Sequence, residues 1–269
     1  MPDPSIFTSV INSYLPEPHA SLLNGILFGI SLKTSKLFFE QLKMVGLLHI
    51  VVLSGINITL LASIIAGFTS FLNKKFSVFI SIFFIILFVF FVGPKPPIVR
   101  AAIMGVLTLL AVVYGRQKQA LYFLFLSALI ISMVNFEWVK TVSFQLSFAA
   151  TFGIILFGGV KKTARTPIEI LIYALYRELK PSLAAQIFTT PIIFLYFKQV
   201  SFIAPLSNLL VSPLISPLIV FGFLTAILGK INYFLGLIPS YICYGILNYM
   251  IAVIEGLSKL PFIFLNLNN

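Results

Sequence analysis

Charge is what this chain has least of. Of its 269 residues, 9% are charged, against roughly a quarter in soluble domains. Seven are acidic, and most stand alone in the sequence, so paired-carboxylate chemistry has little to draw on. His19 and His49 are the two histidines, 30 positions apart, and neither has a partner at metal-ligand spacing. The single cysteine, Cys243, excludes an internal disulfide and reads as a packing residue in an apolar run. No GxxxxGK[ST] occurs, so the chain should not itself hydrolyse nucleotides. These shortages lead us to expect no enzyme, no metal and no cofactor.

Apolar residues, by contrast, make up 59%, with 29 phenylalanines, and the mean hydropathy is +1.09. A water-soluble domain of this length has too little interior to hide that surface. The chain is expected to be an integral membrane protein. Segment 76–92 is a long apolar run rather than an alternating one, which favours helices over a membrane barrel. About eight spans of roughly 20 residues fit, leaving no room for a soluble enzyme domain. The expected architecture is an all-α polytopic helix bundle, forming one domain over 1–269, with broken or re-entrant segments.

The spans read as A (44–69), B (76–92), C (98–114), D (119–134), E (141–160), F (182–197), G (201–228) and H (234–257). A Gly93–Pro97 break separates B from C. Before A, 5–15 is weakly amphipathic, and 21–32 is short enough to be interfacial or re-entrant. The start, MPDPSIFTSV, lacks the basic region of a signal peptide. Segment 168–180 reads as an amphipathic helix on the inner surface. The net charge is +11, and the basic residues lean toward the loops after A, C, E and G. That places those loops in the cytoplasm and both termini outside.

Polar residues at membrane depth are the informative ones. On a helix, Gly46, His49 and Asn57 fall within about 80° of one another, with Ser54 nearby, and Ser54-Gly55 allows a kink. Arg100 follows Pro97 in the first turns of C, where the helix dipole disfavours a cation. Such a residue meets an anion, be it a carboxylate, a lipid phosphate or a substrate phosphate, or else snorkels to the headgroups. Span E carries Thr141 and Gln145 on one helical face and Ser143, Ser147 and Thr151 on another. Span F holds Gln186, Thr189 and Thr190. Span G holds Asn208, and Pro213 and Pro217 each remove a ladder bond. A broken helix of that kind marks many transport paths.

Taken in order, these motifs resemble the membrane "competence" domain of ComEC-type proteins. Gly46-Leu-Leu-His49 with Leu53-Ser54-Gly55-Ile-Asn57 is similar to the family's G-L-x-H-x-x-x-x-S-G-x-H segment, with Asn57 where histidine is common. Pro97-Ile-Val-Arg100-Ala-Ala-Ile-Met104 resembles its P-x-x-R-A-x-x-M segment, closed by Tyr114-Gly115-Arg116. Phe144-Gln145-Leu-Ser147-Phe148 resembles its F-Q-L-S-F motif. Ala185-Gln186, Pro191, Phe197 and the run Pro205 to Pro213 are similar to its later spans.

The resemblance implies a channel for single-stranded DNA in natural transformation, in the bacterial cytoplasmic membrane. It implies neither the OB-like nor the metallo-β-lactamase-like domain of longer members in this sequence. A polyanion needs a polar, partly cationic lumen, which His49, Ser54, Asn57, Arg100, Arg116, Gln145, Ser147, Gln186 and Asn208 would line, with Gly55, Pro213 and Pro217 as helix breaks. Bases could rest on aromatic faces. The partners implied are single-stranded DNA, the lipid bilayer, a DNA receptor outside and an ATP-driven translocase inside. A homodimer is left open. Two readings compete: a small-solute transporter with a broken-helix site in G, and a membrane scaffold of the uptake machinery.

Overall fold

A computed structural model describes the chain apart from residues 1–4, 31, 52–57, 59–61, 63, 66, 70, 114–119, 160–166, 262–263 and 267–269. Ser54, Gly55, Asn57 and Arg116 therefore lie outside the described residues. In chain order the elements are α1 (Ser5–Tyr14), α2 (His19–Phe28), α3 (Lys36–Met44), α4 (Leu48–Val51), α5 (Lys74–Val92), α6 (Pro96–Val113) and α7 (Ala120–Val134), then α8 (Phe136–Lys140), α9 (Val142–Phe157), α10 (Pro167–Phe197), β1 (Gln199–Ser201), α11 (Ala204–Ile231), α12 (Tyr233–Ser258) and β2 (Phe264–Asn266). Among the described residues the fold is all-α apart from one short antiparallel ribbon that pairs Val200 with Leu265.

Two compact units form, residues 53–148 and residues 5–52 with 149–269. In the first, α6 packs on both α5 and α7. Asn73 starts α5 by accepting from Phe76 N at 2.9 Å. Val78, Ser81, Ile85 and Phe88 recur at helical spacing and are buried. The outward residues are Phe76, Phe79, Phe83, Phe84, Ile86, Leu87 and Phe90, a lipid-facing composition.

In the second unit α11 and α12 form the main helix pair, joined at Asn232, whose Oδ1 accepts from Phe234 N at 2.9 Å. All ten residues of α2 are buried. Leu23 and Leu27 press on Gly222 of α11, where an added Cβ would lie 2.9 Å from Leu27 Cδ1. The helix that falls in 21–32 is therefore a core element of its unit.

Spans B, C, D, E, G and H coincide with α5, α6, α7, α9, α11 and α12 to within a few residues. Among the described residues three helices, α5, α11 and α12, are long and apolar enough to cross a membrane. Shorter apolar helices lie within His19–Phe28, Pro96–Ala111, Ala120–Val134 and Val142–Phe157. The 15 residues of α7 give a helix about 23 Å long against a hydrocarbon core of roughly 30 Å. The count of eight spans is therefore not reached among the described residues.

Three boundaries differ from the sequence reading. Span A does not start at 44: α3 ends there, and Val45 and Gly46 turn the chain into α4. The amphipathic segment 168–180 is not a separate helix, because α10 runs on through Pro181 to Phe197. Likewise Pro213 and Pro217 do not break α11, which is continuous over 28 residues. Each proline removes one backbone donor, and the remaining ladder carries the helix past it.

Candidate functional site

The first unit buries a cation. Pro97 occupies the first turn of α6, which places Arg100 about one turn in. Arg100 is 7% exposed. Its Nε donates to Ser147 Oγ at 2.8 Å and its Nη1 to the Met104 sulfur at 3.3 Å. The two motifs, 47 residues apart in sequence, thus meet through one side chain. Both of these partners are neutral. Burying such a charge costs several kcal/mol, and hydrogen bonds to a charged group return roughly 1.5–3 kcal/mol each. Of the alternatives for Arg100, snorkelling is the one this burial excludes.

The helix that carries Ser147 is fixed by aromatic packing beside it. Phe144 is buried and stacks on Phe148 at 5.9 Å, and Phe148 meets Phe125 of α7 edge-on at 5.8 Å. Gln145 does not join Arg100. Its Nε2 donates to Lys140 O at 3.3 Å, at the start of its own helix.

The second unit contains a clasped turn. Gly46 has φ +73°, and an added Cβ would lie 2.5 Å from Ala204 Cβ. It therefore cannot share a regular helical face with His49 and Asn57, as the sequence suggested: left-handed backbone ends the helix there. Three successive carbonyls of this turn each accept a side chain. Ser201 Oγ donates to Met44 O at 2.7 Å, Ser207 Oγ to Val45 O at 2.6 Å, and His49 Nδ1 lies 2.9 Å from Gly46 O. A carbonyl only accepts, so the His49 contact requires the proton on Nδ1. His49 itself is exposed.

Gln186 joins the same network from α10. Its Nε2 donates to Ser201 O at 3.0 Å, immediately before α11. Asn208, one turn into α11, donates to Ser182 Oγ at 3.0 Å. The structure thus places Gln186 and His49 around one turn, Gln186 on the carbonyl of Ser201, whose hydroxyl holds Met44 O, and His49 on Gly46 O, and pairs Asn208 with α10. Sequence reading missed Ser182, Ser201 and Ser207. The available signal was an isolated hydroxyl in an otherwise apolar stretch.

One helix face stands apart. Beyond Tyr244, the outward residues of α12 are Gly245, Asn248, Tyr249, Ala252, Glu255 and Gly256. None is a large aliphatic residue or phenylalanine, unlike the outward face of α5. Asparagine, glutamate and tyrosine side chains are costly against lipid.

The order of these motifs matches known proteins. Residues 26–269 match the family described as Competence protein. The chain belongs to the competence protein family. It is 27% identical over 212 residues to ComE operon protein 3 of Bacillus subtilis (strain 168), an alignment that covers 76% of this chain and 26% of that relative. The chain thus spans about a quarter of the length of this curated relative. No solved structure matches it. The family match includes both the Arg100–Ser147 pair and the clasped turn, so the family's pattern bears on a contact inside each unit.

Proposed function

We propose that this chain conducts single-stranded DNA across the bacterial cytoplasmic membrane during natural competence. The observation that carries the proposal is the Arg100–Ser147 pair: a permanent cation buried in an apolar helical unit and oriented by the serine of a second motif. A polyanion crossing a bilayer requires fixed positive charge at depth, and arginine suits phosphate because its donors form a planar fork. The outward face of α12 also supports a wet path, since its composition is poorly suited to lipid. In this reading Arg100 and Ser147 line the path within the first unit. The chain conducts and does not catalyse. A DNA receptor delivers the strand outside, an ATP-driven translocase draws it inside, and both termini lie outside. One chain or a pair of chains forms the lumen. The small-solute alternative depended on a discontinuity in span G, and α11 is continuous there.

The test is DNA import in a competent host lacking this gene. Labelled DNA bound outside is separated from DNA in a protected cytoplasmic pool. Wild type should restore the protected pool. Arg100→Ala should lower it at least tenfold, a loss of about 1.4 kcal/mol or more in the limiting step, and Arg100→Lys should restore only part, having the charge but not the fork. Import that is indifferent to the deletion would remove this chain from the path.

A further inference from the structure

The chain leading into the clasped turn carries a basic patch with its own cavity. The cavity, of about 270 Å³, is lined by Leu32, Thr34, Lys36, Phe39 and Glu40. Its support is firm. Ser21 of the buried α2 donates through Oγ to Lys33 O at 2.9 Å. Ser35 caps α3 by accepting from Phe38 N at 3.2 Å, while Phe38 and Leu42 anchor the helix inward. Lys33 and Lys36 are left exposed. Lys43 sits over the Phe39 ring, 5.4 Å from its centroid, and pairs with Glu40 at 3.0 Å.

We propose that this cavity is a nucleotide subsite that receives one base of a DNA single strand, with the flanking phosphates on Lys33 and Lys36. The assignment rests on the conduit reading given above. Charge complementarity favours it, because Lys33, Lys36 and Lys43 outnumber Glu40 and a strand is a polyanion. The wall chemistry selects a nucleotide over a simple anion: Phe39 offers its ring to a base of any identity once Lys43 moves from over it to a phosphate, and Thr34 and Glu40 offer hydrogen-bonding groups to its edge. Size is consistent too, since about 270 Å³ lies just below the usual range for drug-sized ligands. Three residues separate Glu40 from the carbonyls clasped by Ser201 and Ser207. A strand seated here is therefore delivered toward His49.

The experiment measures binding of a fluorescein-labelled oligothymidylate to the full chain in phosphatidylcholine nanodiscs, across a salt series. Phe39→Leu keeps apolar volume without the ring and should weaken binding about tenfold, the effect of losing one stacked base. Lys36→Gln should lower the salt slope by about 0.7, the value for one single-strand phosphate contact. Lys36→Arg should keep the slope, and Lys75→Gln on α5 should behave as wild type. Thermal melts confirm folding of each variant. If Phe39→Leu and Lys36→Gln bind with wild-type affinity and slope, the subsite is overturned. It is overturned equally if those variants leave the oligonucleotide untouched and instead lose sensitivity to phosphatidylglycerol, which would make it a lipid-headgroup site. The import assay separates the two claims. If import requires the chain while both variants bind and import normally, only the subsite fails. If import ignores deletion of the gene, the conduit reading fails with it.

Discussion

Gly46 shows how a single atom can hold a turn. Its φ of +73° costs an L-residue about 1–2 kcal/mol, and a methyl group there would also meet Ala204 Cβ at 2.5 Å. Gly46→Ala should therefore destabilise the chain by about 2–4 kcal/mol, strain and overpacking together. Thermal melting in detergent would detect this. Adding Ala204→Gly should recover the overpacking part and leave the backbone strain. If the double variant melts no higher than Gly46→Ala, the contact with Ala204 is not what limits this position. The turn's carbonyls make the same point with hydrogen bonds. Ser207 is fully buried, and its loss strands a buried acceptor at Val45, an effect of about 1–3 kcal/mol.

Among the elements, α11 is the informative one. Its prolines fall at Pro213 and Pro217, yet the helix runs from Ala204 to Ile231. Proline inside a helix costs about 3 kcal/mol against alanine. If the prolines serve no break, Pro213→Ala and Pro217→Ala should raise the melting temperature, each recovering up to about 3 kcal/mol, and leave import unchanged. Loss of import in a variant that melts higher would mean that the freed carbonyls of Leu209 and Pro213 matter to passage. The same element shows where sequence reading stops. A proline is visible in one dimension, but whether packing holds the helix together around it depends on neighbours. Val211, Ile215, Leu218 and Ile219 are all buried, and that burial keeps the two halves of α11 aligned. Continuity of α10 through Pro181 follows the same pattern.

Across the whole molecule, outward faces differ in kind. Beyond Lys75 the outward face of α5 is entirely apolar, whereas that of the later half of α12 carries Asn248, Tyr249 and Glu255. Arginine at the centre of a lipid-facing helix costs about 2.5–3.5 kcal/mol on insertion scales. Phe83→Arg, mid-way along α5, should sharply reduce the amount of chain recovered in the membrane fraction. On the conduit reading Tyr249→Arg, in the later half of α12, should be tolerated, because the face it shares with Asn248 and Glu255 lines the wet path. Equal loss in both variants would make α12 as lipid-exposed as α5 and would remove its support for a wet path.

Composition, with the unbroken apolar run at 76–92, determined that this chain is a helical membrane protein. With 9% charge and 29 phenylalanines, burial in water is out of reach, and a lipid solvent admits few backbone conformations. Most helix positions were legible for the same reason: long apolar runs punctuated by Asn73, Gly93 and Asn232 leave few alternatives. The ordered motifs were enough to point to the competence family that residues 26–269 match. Tertiary structure decided which polar residues meet. Arg100 finds Ser147 and not Gln145, while Gln186 holds Ser201, whose hydroxyl clasps the turn that also takes His49. Gly46 leaves the helix to make that possible. Such contacts join residues many turns apart in the chain, and helical periodicity orders side chains only around one axis. Which faces are brought together is set by packing between helices, where a missing Cβ or a single hydroxyl decides the fit.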